Sequence, residues 1–266
     1  MGAAPLAVDC ANCGAALTGP FCAACGQEAR PPNPGLRYFL QDFARDLFDY
    51  DGKVFRSVWL LFARPGYLTR EAFADKRASY ISPLKLYLSF SVLFFAVLAL
   101  APNVIDFKLT YTPSPGEQLD PSVMAGKQNE VRAAINDVTN RRLPQAMFVL
   151  MPVFAALVML FRRKSGRTYP QHLYFAMHVH AVAFFAATVI AIANIVVVPY
   201  LSAGAKTAGL VFVFAHSVLA FRSAYDTNWR GALWRMTLVA LVYWVVLVFT
   251  LIGIWLPSIL ELINRH

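Results

Sequence analysis

LYLSFSVLFFAVLAL, residues 86–100, is the stretch that decides the fold class. It follows Lys85 and carries no charge. With Pro83 and Leu84 it sets a helix over about residues 83–101, close to the ~20 residues that cross ~30 Å of hydrocarbon. Lys76, Arg77 and Lys85 stand before it, Tyr80 is expected at headgroup depth, and Pro83 suits a first helical turn.

Working toward the C-terminus, four more apolar runs cover about 144–161, 172–198, 207–221 and 236–257, the fourth of them short. Arg162, Arg163, Lys164 and Arg167 lie between the second and third, and Arg222, Arg230 and Arg235 between the fourth and fifth. This alternation is self-consistent under the positive-inside rule: the N-terminus falls in the cytosol and the C-terminus, after five spans, on the far side. MGAAPLAVDC lacks the basic and apolar regions of a secretory signal, which agrees. Residues 102–143 then form an external loop. Its turn chemistry lies at Thr112-Pro113-Ser114-Pro115-Gly116, and an amphipathic helix through Val131, Ile135 and Val138 leads toward the second span. The expected class is an all-α integral membrane protein of the bacterial inner membrane, and residues 83–266 are its transmembrane domain.

Working toward the N-terminus, residues 36–82 read as cytosolic amphipathic helices. Leu36, Phe39, Leu40, Phe43 and Leu47 share one face, and Val54, Phe55, Val58, Trp59 and Phe62 another, with Pro65-Gly66 ending the second helix in the interface plane. A Pro-rich linker, residues 31–35, precedes them, and residues 1–30 hold all four cysteines.

The whole chain has 266 residues, 58% hydrophobic and 15% charged, with a formal net charge of +9. That composition is not a soluble globule's. Nor does the positive charge point to nucleic acid, because the basic residues cluster beside apolar runs and no basic tract is interleaved with aromatics.

Cys10-x2-Cys13-Gly14 and Cys22-x2-Cys25-Gly26 have the spacing of two knuckles converging on one tetrahedral ion. Two intervening residues let both sulfurs of a pair reach the same metal, and the glycine relieves the tight turn behind them. Eight residues separate the knuckles, so the module is a minimal zinc ribbon whose folding is coupled to metal. Disulfides, an iron–sulfur cluster or a redox dithiol compete. Cytosolic placement argues against the first and the knuckle glycines favour zinc over iron. Four thiolates leave no open position, so the ion is structural and the cysteines are not catalytic.

The cysteine knuckles with Gln27, Arg64-Pro65-Gly66, the run from Lys76 to Pro83, and His172-Leu173-Tyr174-Phe175-Ala176-Met177-His178 together resemble the bacterial family of unknown function DUF3667. The resemblance covers nearly the whole chain. It implies a membrane protein with a zinc ribbon and no established reaction or substrate.

His172, His178, His180 and His216 lie in or beside apolar runs, where ionisable groups are costly. At about 100° per residue His178 and His180 point to opposite sides of one helix. His180 and His216 fall at similar depth, however, and are the pair expected to meet. Bis-imidazole haem ligation, a metal site and a proton relay are the functional readings, and local hydrogen bonding to Ser, Tyr or a carbonyl is the plain and favoured one. No further motif supports haem, which is not expected. Arg64, Lys76, Arg77, Arg162 and Arg163 are candidate contacts for anionic headgroups or a phosphorylated ligand.

No Ser/His/Asp set, carboxylate pair or nucleotide loop is present, so an enzyme is not the favoured reading. A cytosolic zinc ribbon recruiting a partner protein to a scaffold or sensor in the envelope is preferred. The alternative is a small transporter or lipid-handling protein with a histidine-containing site. Ligand, partner and oligomeric state are not encoded in any motif.

Overall fold

The computed structural model describes residues 9–29, 53–100, 120–196 and 203–264. The helix expected over residues 36–47, the linker at 31–35 and the first half of the 102–143 loop lie outside them. Among the described residues are seven α-helices: α1 Val54–Ala63, α2 Tyr67–Phe73, α3 Pro83–Leu100, α4 Pro121–Phe161, α5 Tyr169–Val196, α6 Ala203–Ala224 and α7 Trp229–Asn264. A single 3-10 turn, Arg163–Ser165, joins α4 to α5. Five of these helices, α3 to α7, contain segments long and apolar enough to cross a membrane, and the chain is an all-helical membrane protein.

Three of the spanning helices start where the sequence provides a side-chain cap. Ser82 precedes Pro83, and its hydroxyl accepts from the Lys85 amide at 3.2 Å, filling one of the donors a helix start leaves open. Asn228 does the same for α7, accepting from the Gly231 amide at 2.7 Å. Asp120 caps α4 by accepting from the Ser122 amide at 2.8 Å, with Pro121 placed where no N–H is needed. The helix it starts runs for 41 residues through Pro144 and Pro152, so the amphipathic segment around Val131 and the second span are one continuous element.

α5 is the hub of the bundle, packing against α3, α4 and α6, while α7 lies against α4 and α6. In α5 61% of the spanning segment is buried inside the protein, against 6% in α7, whose Trp244, Phe249 and Leu256 point outward. Small residues are fully buried between the helices: Ala155 on α4, Ala176 and Ala181 on α5, Ala232 on α7. Without a hydrophobic drive between helices in lipid, such residues allow the backbone approach that holds the bundle together.

α1 and α2 form a corner pressed into the bundle. α1 buries Ser57 and Leu61 and packs Val58 and Phe62 on the core, whereas Phe55 and Trp59 are 83% and 66% exposed, so the apolar face read from the spacing is divided between the protein and its surroundings. Pro65-Gly66 ends α1 as expected, but a second helix, α2, starts directly after it. Gly66 has φ 81°, and a Cβ there would lie 2.8 Å from the Ser223 Cβ and 3.0 Å from the Ala220 Cα, in collision also with the Ala220 carbonyl. Only glycine fits both the left-handed turn and this contact with α6. Tyr80, just before the first span, is buried within the protein, its hydroxyl 3.0 Å from that of Tyr67. Burial first, then the Tyr67 hydroxyl, holds its phenol up at about 12.

Candidate metal centre

The two knuckles repeat each other closely. In each, the first Cys donates its amide to the residue five positions on (Cys10 to Ala15 at 2.8 Å, Cys22 to Gln27 at 2.9 Å), and its carbonyl receives the glycine amide at 2.8 Å. Gly14 and Gly26 have φ 75° and 74°, the left-handed value that lets the chain turn behind the sulfurs. Residues 9 and 16, and 21 and 28, close each turn with one antiparallel bridge.

This local geometry brings all four sulfurs within 4.8 Å of one another, with Cys10 to Cys25 and Cys13 to Cys22 each at 3.6 Å. A tetrahedral ion with ~2.3 Å bonds to sulfur needs sulfurs about 3.8 Å apart, so the set fits a metal ion. The electrostatics of the two thiols in the first knuckle differ. The Cys13 amide brings the Cys10 thiol down to about 7, the direction that favours a thiolate ligand. For Cys13 the Ala15 amide pulls the same way but is outweighed by the Cys22 side chain and burial, which raise its thiol to about 12. A bound cation favours the thiolate form of its sulfur ligands.

Directly after the second knuckle, Gln27 is only 6% exposed. Its side-chain amide donates to the Asp75 carbonyl at 2.8 Å and accepts from the Arg77 and Ala78 amides at 3.0 and 3.1 Å. Ser79 donates to the Asn12 side chain at 3.0 Å, and Arg77 donates to the Glu28 carbonyl at 3.1 Å. The ribbon is therefore docked on the turn that leads into α3. Asp75, at φ 58°, gives that turn its shape. Nothing in the local sequence marks Gln27 for this role, although it belongs to the quoted motif.

Each of the four histidines has its own hydrogen-bond partner, and His180 and His216 engage different ones. His180 is held by Ala176 and Tyr243: its Nδ1 donates to the Ala176 carbonyl at 2.8 Å, and its Nε2 lies 2.8 Å from the Tyr243 hydroxyl. Both ring nitrogens are engaged, among the rings of Tyr87, Phe154 and Tyr243. His216 instead donates from Nε2 to the Leu61 carbonyl at 2.9 Å. That carbonyl would ordinarily accept from residue 65, but Pro65 has no N–H, so the histidine supplies the missing donor. His178 pairs through Nδ1 with the Thr69 hydroxyl of α2 at 2.9 Å. It is His178, not His180, that shares a cavity with His216, one with room for about one water and with Arg64 also in its lining. His172 packs at 2.7 Å against the Tyr225 hydroxyl, with the two rings stacked at 5.5 Å.

The basic candidates also separate. Lys76 pairs with Glu71 at 3.0 Å, and Arg77 with Asp75 at 2.9 Å, so both charges are partnered within the ribbon-docking turn. Arg64 lies over the Tyr67 ring at 5.9 Å. Arg163 is exposed in the 3-10 turn. Arg162 is different: its Nη2 donates to the Tyr225 carbonyl at 3.0 Å, its guanidinium covers the Tyr225 ring at 5.4 Å, and its Nε is buried with no acceptor. Burial, then the charges of Arg235 and Arg167, push this guanidinium down. Neither Arg167 nor Arg235 was singled out by the sequence as a ligand contact.

No curated protein matches the chain, and no solved structure matches it. The segment that carries α1, the Pro65-Gly66 corner, α2, the ribbon-docking turn and most of α3, residues 51–95, matches the family model described as "Protein of unknown function (DUF3667)", the family that the motifs resemble.

Proposed function

We propose that this is a non-enzymatic multi-pass protein of the bacterial inner membrane, with its N-terminus in the cytosol, in which the ribbon holds structural zinc and serves as an interaction module. Four sulfur ligands and no carboxylate or imidazole in the set favour zinc among common ions. When bound, the ion cross-links the two knuckles. The protein's own residues do the rest: the amides behind each knuckle orient the sulfurs, and Gln27 fastens the loaded module to the entrance of the first span. A partner recruited by the ribbon is thereby held at a defined place on the membrane. This is the role of a scaffold, or of a sensor whose docking follows metal supply.

The observation that carries this reading is the three-bond clamp of Gln27 on Asp75, Arg77 and Ala78. Three hydrogen bonds of ordinary strength contribute roughly 2–4 kcal/mol, enough to hold the ribbon docked for most of the time. The intact chain, purified without chelator, is expected to contain one zinc. Gln27→Ala should keep the zinc and expose the Arg77 and Ala78 amides to hydrogen exchange, whereas chelation should remove the zinc and expose the same amides. A metal-free preparation, or amide protection that survives both treatments, would sink the reading.

The lipid-handling alternative gains nothing from the histidines, since His172, His178, His180 and His216 each engage a local partner. What favours a lipid or phosphate contact lies elsewhere, at the arginines.

A further inference from the structure

Three arginines gather where α4 ends and where α5 and α7 begin. Arg162 is the last residue of the α4 cap, Arg167 precedes α5, and Arg235 lies one and a half turns into α7. Tyr225, in the turn between α6 and α7, stands at their centre. Arg162 covers its ring, Phe73 packs on it at 5.5 Å, and Arg167 covers Phe73 at 4.6 Å. Arg235 is close enough to Arg162 for the two charges to oppose each other.

This arrangement is electrostatically incomplete. Among the described residues, no carboxylate forms an ion pair with any of the three; Asp226, beside Tyr225, is exposed and also forms none. Arg162 and Arg235 each have one Nη on a backbone carbonyl at 3.0 Å, and each has a buried Nε with no acceptor. The Nε2 of His172, which stacks on Tyr225, is buried and unpartnered as well. Buried donors are nearly always satisfied, and like charges in a half-buried position repel, so both features call for the same missing component: an anion with several acceptor oxygens. A phosphate group matches the guanidinium fork better than a simple monovalent ion.

The depth is that of lipid headgroups. Arg235 lies over the Trp234 ring at 4.5 Å and Arg222 over Trp229 at 4.4 Å, with both tryptophans about half exposed at the start of the last span. Such indoles mark the membrane interface, and basic pockets between spans at this level hold anionic headgroups.

We propose that Arg162, Arg167 and Arg235 form a binding site for one phosphate group, either the phosphodiester of an anionic lipid or a free phosphate. Lys76 and Arg77, already paired, take no part in it, and neither does Arg163. The site is independent of the ribbon and of its metal.

The test uses the full chain in nanodiscs of phosphatidylcholine, alone or with an equal part of phosphatidylglycerol, and reads the thermal unfolding midpoint. The wild type should gain several degrees with phosphatidylglycerol, or with inorganic phosphate added to the neutral nanodiscs. A gain with the lipid alone identifies the headgroup as the source, and a gain with phosphate identifies the free anion. Arg162→Gln combined with Arg235→Gln should lose the gain, and Arg163→Gln should keep it. Should the double variant not fold, Arg167→Gln, an exposed position, must still lose part of the gain. If neither probe shifts the wild type, or if the shift persists undiminished in the double variant or, where that does not fold, in Arg167→Gln, the proposal is overturned.

Discussion

The cysteines of the ribbon and the histidines of α5 and α6 are both sets of four metal-type ligands, and the fold treats them in opposite ways. The cysteines lie on two short turns, and each turn aims its own pair at one point. The histidines lie on rigid helices, and each aims at a different neighbour: Tyr225, Thr69, Tyr243 or the Leu61 carbonyl. Convergence needs a backbone that can turn within a few residues. A helix that advances about 100° per residue disperses its side chains, and each buried imidazole then finds a separate partner for at least one ring nitrogen. Three of the four histidines fasten parts of the chain outside the spans, namely α1, α2 and the turn at Tyr225, to the bundle.

The largest test of that contrast removes one ligand from the converging set. Cys22→Ser should empty the metal site and unfold residues 9–29, because structural zinc contributes about 10 kcal/mol or more to the folding of such modules. Elemental analysis should fall from one zinc to none while the unfolding midpoint of the bundle stays in place. No histidine variant should lower the metal content; one that did would break the comparison.

Gly66→Ala comes next. It forces a side chain into the left-handed turn and against the α6 backbone, at a cost of roughly 2–5 kcal/mol. The expected readout is a lowered unfolding midpoint in detergent with zinc unchanged. His216→Ala leaves the Leu61 carbonyl without a donor, about 1–3 kcal/mol, and should release α1 to hydrogen exchange ahead of the spans. Equal exchange throughout the molecule would mean that this histidine supports the bundle as a whole.

The smallest effect is at Asp120. The Ser122 hydroxyl, then its amide, hold the Asp120 carboxyl below its ordinary value. Its contribution is therefore complete above the ordinary carboxylate range and is lost only as pH falls through the lowered value. Asp120→Ala at neutral pH should reproduce acid fraying of the first turn of α4, seen in the exchange of the Val123 and Met124 amides, without touching zinc or the corner at Gly66.

The spans were legible because length and the absence of charge are local properties, and the cysteine site because spacing and glycine encode its geometry within five residues. α2 was not: its seven residues include Thr69, Arg70 and Glu71, and only the bundle around it makes Thr69 a buried residue. The pairing of His216 with His178, not His180, in one cavity was hidden for a different reason. Depth along a helix can be counted from sequence, but the rotation of one helix toward its neighbour cannot. The Gln27 clamp joins residues 48 to 51 positions apart, and the arginine cluster brings Arg235, inside α7, to Arg162 and Arg167 of the α4–α5 junction, so neither can be read in full from a local window.

The bond from His216 to Leu61 spans 155 positions of the chain. Leu61 leaves the ribosome long before the helix that completes it, so the corner of α1 and α2 stays open while the first three spans enter the membrane and closes when the fourth arrives. The part of the protein that is synthesised early is thus among the last to be finished. A chain cut short before α6 would lack His216 and leave the Leu61 carbonyl without its donor.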